Sequence, residues 1–166
     1  FSLVIQTLDE ASAQQEAQRC LQCDLLCNIC TTVCPNRANI AYSLDPIEYC
    51  VQQVVRFRND TRIEELEKVS ITQPFQIINI SAFCNECGNC TTFCPTSGAP
   101  YRVKPKFYLT AESFEKEQNG YMYMDGVLKA RVDGKLESLT QDAGNLIYET
   151  SDIRAQLNLK TFMVEE

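Results

Sequence analysis

The sequence of 166 residues contains no histidine, so the chain lacks the side chain that most often acts as a general base near neutral pH. Its six glycines are scattered and form neither a GxGxxG motif nor a Walker-type loop, the usual signals of dinucleotide and nucleoside triphosphate sites. Carboxylates set in pairs for acid–base work are also missing. The sequence therefore shows no catalytic site of its own.

Basic runs and long apolar runs are absent as well. The formal net charge is −7, which argues against nucleic acid or an anionic membrane surface as a partner. No apolar stretch approaches the roughly 20 residues that span a bilayer, so we expect no membrane insertion. Residues 1–7 lack the charged start of a signal peptide and an initiating methionine, which indicates a fragment or subunit cut from something longer. Without an export signal we expect a cytoplasmic protein, whose thiols are kept reduced.

Cysteine, in contrast, is abundant, with ten residues. Nine of them lie in two runs that each end in Cys-Pro: Cys20, Cys23, Cys27, Cys30 and Cys34, then Cys84, Cys87, Cys90 and Cys94. The segments "CNICTTVCPN" and "CGNCTTFCPT" repeat each other at a constant offset of 60 residues. This is an internal duplication, and it is the most informative feature of the chain.

Closely spaced cysteines have three interpretations: disulfides, a zinc site or an iron–sulfur cluster. Disulfides are disfavoured by the expected reducing surroundings. Four-cysteine zinc sites usually use two CxxC pairs separated by a longer span. The pattern C-x2-C-x2-C-x3-C-P at 84–95 is instead typical of ferredoxins with two clusters. The two runs therefore predict two [4Fe–4S] clusters.

In that ferredoxin pattern the first three cysteines of a run hold one cluster, and the fourth binds the other cluster. One cluster is therefore predicted to bind Cys84, Cys87 and Cys90 together with Cys34 of the first run. Reciprocally, Cys94 is predicted to complete the cluster held by the first run.

The remaining ligands of the first run are ambiguous, because Asp24 stands where the repeat expects a cysteine. If the last cysteine of the second run crosses over, three ligands are needed from four candidates. The spacing C-x3-C-x2-C favours Cys23, Cys27 and Cys30. A rival register, C-x2-C-x6-C, uses Cys20 and Cys23 with Cys30.

The tenth cysteine, Cys50, lies in a segment that predicts a helical insertion over about 45–72. Asp45 as N-cap and Pro46 at the first helical position are typical of a helix start. A lone helical cysteine is interpreted as a small buried hydrophobic residue rather than as a ligand.

A different pattern follows from residue 119, where the cysteines have ended. Asn-Gly and Asp-Gly turn signals separate short strands and predict a β-meander over 119–140. The segment "SDIRAQLNL", from Ser151, predicts a final helix.

The predicted fold class is α+β. It consists of a ferredoxin-like two-cluster [4Fe–4S] module with a helical insertion, followed by a small appendage of β-meander plus helix. The predicted bounds are 1–118 for the module, about 45–72 for the insertion and 119–166 for the appendage.

Several stretches carry a family resemblance. "EAQRCLQC" followed by "CPNRAN" is similar to the amino-terminal iron–sulfur segment of glutamate synthase small chains and dihydropyrimidine dehydrogenases. Residues 9 to about 118, with "FCNECGNCTTFCP" and "ESFEKEQNG", more closely resemble the carboxy-terminal part of the putative selenate reductase flavoprotein family. That resemblance implies a 2[4Fe–4S] module serving partner oxidoreductases such as molybdenum hydroxylases, with FAD and NAD(P)H on a partner domain or subunit. The "RCLQC" match supports Cys20 as a ligand, whereas the internal repeat supports Cys27.

These features predict an electron-transfer module that relays electrons between an NAD(P)H/flavin unit and a partner oxidoreductase. The organic chemistry would then belong to the neighbours, because the module only holds and tunes its centres. The alternative is a structural iron–sulfur module that stabilises a subunit interface without redox turnover. Paired and crossed ligation favours electron transfer, since a structural staple needs only one cluster.

Overall fold

The computed structural model describes residues 7–18, 27–58 and 60–165. The α-helices in these ranges are α1 Glu10–Ala17, α2 Ile29–Thr32, α3 Asn89–Thr92, α4 Pro100–Val103 and α5 Ala111–Glu115, and a short 3-10 helix covers Ser81–Phe83. The strands are β1 Asn39–Ser43, β2 Ile47–Phe57, β3 Asp60–Ile71, β4 Phe75–Ile80, β5 Lys106–Phe107, β6 Gly120–Met124, β7 Val127–Val132, β8 Lys135–Asp142, β9 Asn145–Glu149 and β10 Arg154–Asn158. No helix within the described ranges is long and apolar enough to cross a membrane.

Eight strands form one sheet in the order β1-β4-β5-β6-β7-β8-β9-β10. Strand β1 pairs antiparallel with β4, from Asn39 opposite Asn79 to Ser43 opposite Phe75. The two-residue strand β5 lies between β4 and β6 and runs parallel to both. From β6 to β10 every neighbouring pair is antiparallel. The cysteine-bearing part and the later meander therefore belong to one continuous sheet.

Tight turns connect the strands from β6 to β9. At Asp125-Gly126 φ is +53° and +81°, and at Asp133-Gly134 it is +51° and +79°. Positive φ at both central residues is what a two-residue hairpin of type I′ requires, so both Asp-Gly signals close hairpins. The Asn119-Gly120 signal does not close a hairpin, because strand β6 begins at Gly120 and pairs parallel with β5.

The helical insertion predicted over 45–72 is wrong. Strands β2 and β3 form a long antiparallel hairpin from Ile47 opposite Ile71 to Phe57 opposite Asp60, with a bulge near Val51. The apolar residues of β2 match helical spacing, but they are largely β-branched. Such side chains are stiff in a helix and fit a pleated strand, and cross-strand pairing decides the outcome.

The final helix predicted from Ser151 is also wrong. The segment forms β10, which pairs antiparallel with β9 from Arg154 opposite Glu149 to Asn158 opposite Asn145. Ala155 is buried at 6% exposure. The free edge of β9 offers backbone hydrogen bonds to the segment, and this non-local pairing outweighs a local helical pattern.

Two small buried clusters support the sheet. Cys30, Ile77 and Cys90 form one, with Val33 and Tyr101 packed against it. The second cluster consists of Tyr108, Phe114 and Met122, with Ala111 packed against it. Since the first cluster contains one cysteine from each run, the two cysteine loops meet on strand β4.

Candidate functional site

The internal duplication of the sequence is also a duplication in space. Helices α2 and α3 are single turns at the same position in each repeat, and a Cys-Pro follows each. The Ala38 N–H donates to Cys34 Sγ over 3.2 Å, and the Gly98 N–H donates to Cys94 Sγ over 3.2 Å. Cys34 and Cys94, which each precede the proline of their run, therefore each accept a hydrogen bond from the backbone N–H of the residue four positions later.

The backbone after each Cys-Pro has the same shape. The Arg37 N–H donates to the Cys34 carbonyl over 3.2 Å, and the Ser97 N–H donates to the Cys94 carbonyl over 3.2 Å. Arg37 and Ser97 both have positive φ, +53° and +56°. This left-handed residue turns the chain back so that the next amides face the sulfur. Two equivalent thiolate-binding loops result.

Cysteines from both runs line one cavity. Cys34 of the first run lies there with Cys84, Cys87 and Cys90 of the second. Gly88, at φ +80°, ends the intervening loop before α3, and a Cβ added there would meet no atom within 4 Å. The glycine is therefore needed for its left-handed backbone and not for lack of space. The four residues brought together are those of the predicted crossed set.

Cys30 and Cys90 are buried at 7% exposure each, whereas Cys27 and Cys87 are exposed. Burial raises the pKa of the Cys30 thiol, and the neighbouring Cys90 adds to the rise. A buried thiol of this kind stays neutral unless a metal ion takes up the charge of the thiolate.

The pKa values of Cys34 and Cys94, the two cysteines that precede proline, are shifted in the opposite direction. The pKa of the Cys94 thiol is lowered, first by the hydrogen bond with the Thr96 hydroxyl at 3.3 Å and then by backbone N–H groups. At Cys34 burial acts to raise the pKa, but N–H groups, those of Asn39 and Ala38 foremost, outweigh it and lower the pKa. Both loops thus favour a thiolate.

Three or more His, Cys, Asp or Glu side chains are nowhere grouped tightly enough in the described ranges to hold a single metal ion. A tetrahedral zinc ion would hold its four sulfurs about 3.8 Å apart. In a [4Fe–4S] cluster each cysteine binds a different iron, which spreads the four sulfurs over a larger cage. The donor set of the cavity, four cysteines of which Cys34 accepts a backbone N–H at its sulfur, is of the type that binds such a cluster.

Of the described cysteines, Cys27, Cys30, Cys50 and Cys94 are not among the residues that line this cavity. Cys20 and Cys23 lie outside the described residues, so the choice between Cys20 and Cys27 stays a prediction. Cys50 lies on strand β2 and not on a helix, half-buried, with its Sγ 3.8 Å from the Val51 carbonyl oxygen.

A buried asparagine pair beside the cavity was missed from the sequence. Asn39, which lines the cavity, donates to the Cys30 carbonyl over 3.1 Å. Asn79 donates to Asn39 Oδ1 over 2.8 Å, and its own Oδ1 is buried without a partner among the described residues. The signal was an asparagine inside the apolar strand "FQIINI", where a polar side chain needs a specific partner.

The chain is 33% identical over 135 residues to "Putative oxidoreductase YgfK" of Escherichia coli K12 and, equally, to the protein of the same name from Escherichia coli O157:H7. The match covers 81% of this chain but 11% of the length of those relatives. No family model matches the sequence. No solved structure matches it either.

Proposed function

We propose that this chain is an electron-transfer module that carries two [4Fe–4S] clusters and relays electrons between an NAD(P)H/flavin unit and a partner oxidoreductase. The observation that carries the proposal is the cavity in which Cys34 joins Cys84, Cys87 and Cys90. The similarity to a protein named as an oxidoreductase supports a general redox role.

Each cluster draws ligands from both runs in this proposal. One binds Cys34, Cys84, Cys87 and Cys90. The other binds Cys94 and three cysteines of the first run, for which Cys23, Cys27 and Cys30 are preferred over a set containing Cys20. The matching backbone loops after Cys34 and Cys94 support equivalent roles for these two residues.

The chain's own groups hold and tune the two centres. Clusters of this type exchange single electrons, at potentials set by hydrogen bonds to the sulfurs and by exposure to solvent. The amides of Ala38 and Gly98 supply such hydrogen bonds. Buried Cys30 and Cys90 pack together with Ile77, so one cysteine from each proposed ligand set lies in the same small core.

The proposed partners supply the flavin, nicotinamide and substrate sites that this module does not provide. The chain spans 11% of the length of the relatives it matches, which leaves room for flavin and nicotinamide sites in other parts of such proteins. We place FAD and NAD(P)H on a neighbouring domain or subunit and not on this chain. The acceptor is a second oxidoreductase, for which a molybdenum hydroxylase is the candidate. The working location is the cytoplasm, where cysteine thiols stay reduced and are available as cluster ligands.

A structural role is the second candidate. One observation favours it: Cys30 and Cys90 belong to a small buried core, so ligation there would join α2, α3 and β4. In that case the clusters would stabilise the fold or an interface without turnover.

Metal analysis followed by spectroelectrochemistry tests both candidates. Anaerobically prepared protein is expected to contain about eight iron and eight acid-labile sulfide per chain. Zinc without sulfide would overturn the proposal. If both clusters are present but cannot be reduced or oxidised between about −700 and +450 mV, the structural role replaces electron transfer. The variant Cys50→Ser is the matched control, since Cys50 lies on strand β2, outside both cysteine runs, and should leave the iron content unchanged.

A further inference from the structure

A basic groove is lined by residues of α4, β5, β6, the end of β7 and the segment between α5 and β6. Its volume is about 520 Å³, within the range of small-molecule pockets. Five of the fifteen lysine and arginine residues of the chain line it: Arg102, Lys104, Lys106, Lys116 and Arg131. Glu117 is the one acidic side chain in its lining. A positive groove in a chain of net charge −7 is a local feature and not a consequence of composition.

Part of this positive charge has no counter-ion. Lys106 Nζ lies 3.6 Å from Glu86 and Lys116 Nζ lies 2.6 Å from Glu112, so these two lysines are paired. In the described part of the chain, no carboxylate lies within 4.0 Å of the cations of Arg102, Lys104 or Arg131. Like charges gathered on one concave surface repel each other, and a bound anion would relieve that repulsion.

Arg131 supplies an independent observation. Its guanidinium lies over the Phe114 ring, 5.6 Å from the centroid, and Nη1 donates to the Gly134 carbonyl over 3.3 Å. These contacts fix the side chain in place. Its Nε is nevertheless buried without a hydrogen-bond partner among the described residues. A guanidinium held in a fixed position is suited to oxygen atoms of phosphate.

The pairing of β6 with β7 brings Gly120 beside Arg131 in the groove lining. Strand β6 begins at Gly120, opposite Arg131 on β7. Gly120 has φ +148°, and a Cβ there would lie 2.3 Å from Tyr108 Cε2. The close approach of strand and tyrosine thus depends on glycine, and it positions the strand that faces Arg131.

We propose that this groove binds a small molecule bearing phosphate groups, with Arg102, Lys104 and Arg131 as the binding cations. Arg102 and Arg131 have no carboxylate partner in the described part of the chain, and Lys104, whose charge also acts on the Cys30 and Cys94 thiols, adds a third cation. Together they match a diphosphate group, which carries a charge of about −3 near neutral pH. Arginine binds phosphate oxygens in pairs and lysine adds a point charge, so this set recognises phosphate whatever it is attached to.

Isothermal titration calorimetry on the anaerobically prepared chain, in buffer without phosphate, tests the proposal. Inorganic pyrophosphate and ADP are the probes, and a hexaglutamate peptide represents an acidic protein segment. Binding of either probe with a Kd below about 1 mM is expected. Tighter binding of ADP than of pyrophosphate would identify a nucleotide, and equal binding would identify the diphosphate alone. Saturation by hexaglutamate but by neither probe would overturn the proposal in favour of a protein partner.

Two variants locate the site. Arg131→Gln and Arg102→Gln are each expected to weaken binding about tenfold, because each removes a charged hydrogen bond. Arg62→Gln is the matched control: Arg62 also lies over an aromatic ring, that of Phe57, but on the hairpin away from the groove. Circular dichroism shows whether each variant folds. If Arg131→Gln does not fold, the binding measured with Arg102→Gln decides whether the groove is the site. Equal weakening by the control, or no weakening by the groove variants, would mean that binding is unspecific and the proposal wrong.

Discussion

Among single residues, Cys34 is the one whose substitution distinguishes crossed ligation of the two clusters from ligation of each cluster by one run alone. It belongs to the first run in sequence but lines a cavity with Cys84, Cys87 and Cys90 of the second. Cys34→Ser is therefore expected to damage the cluster bound by the second run and to leave the other largely intact. Mössbauer or EPR spectra of the variant, compared with Cys50→Ser, would measure this. Loss of the first-run cluster instead would exclude crossed ligation.

Asn39 is the residue at which loss of a polar contact should cost most. Asn39→Ala would leave the Cys30 carbonyl and the Asn79 amide unpaired in a buried place. We expect the free energy of unfolding to fall by roughly 2–4 kcal/mol, since each buried unpaired group costs about 1–3 kcal/mol. Denaturant unfolding measures this, with exposed Asn36→Ala as the control. Equal effects of the two variants would contradict a role for the pair.

At the scale of single residues, the sequence indicated which cysteines lie together, but it did not indicate the polar residues packed beside them. The offset of 60 residues and the Cys-Pro endings are local patterns, and they led to the four cysteines of the cavity. The asparagine pair joins residues 40 positions apart. No local rule matches such a pair, because it exists only once β1 and β4 are side by side.

Among the elements, the junction of β5 and β6 is the most sensitive point of the sheet. Gly120→Ala would place a methyl group against buried Tyr108, at a φ that other residues rarely adopt. We expect a loss of about 2–4 kcal/mol in the free energy of unfolding, from overpacking together with backbone strain. Gly126→Ala is the control: its φ is +81° but a Cβ there meets nothing within 4 Å, so it should lose only about 1 kcal/mol. Thermal or denaturant unfolding would compare the two, and equal losses would contradict the close contact.

The elements also show where sequence patterns are insufficient. The Asp-Gly turns were predictable because a type I′ turn has few residue choices. The hairpin of β2 and β3 was not, because Val51, Val54 and Val55 follow helical spacing and only pairing with the partner strand makes the segment a strand. The same holds for β10, which is a strand because the edge of β9 is available.

On the scale of the whole molecule, the continuous sheet joins the cysteine loops to the meander. The sequence predicted a meander as a separate appendage, since the cysteines stop before it. The link between them is the two-residue strand β5, parallel to β4 and β6. The sequence "KFYL" at 106–109 suggested a strand there, but no local pattern gives its partners in the sheet. The meander therefore extends the sheet that carries the cysteine loops.

The proposed relay makes its final prediction for the whole molecule. Two clusters without a flavin have no means of accepting a hydride, because a cluster takes one electron at a time and a nicotinamide gives two. The isolated chain should therefore show no substrate turnover and no cluster reduction by NADH or NADPH. Addition of a flavoprotein with an NAD(P)H site, as a neighbouring domain or a separate subunit, should allow reduction, visible as bleaching of the cluster absorbance. Reduction by the nicotinamide alone, in a sample with no detectable flavin, would show that the chain holds a hydride-accepting site of its own and is more than a relay.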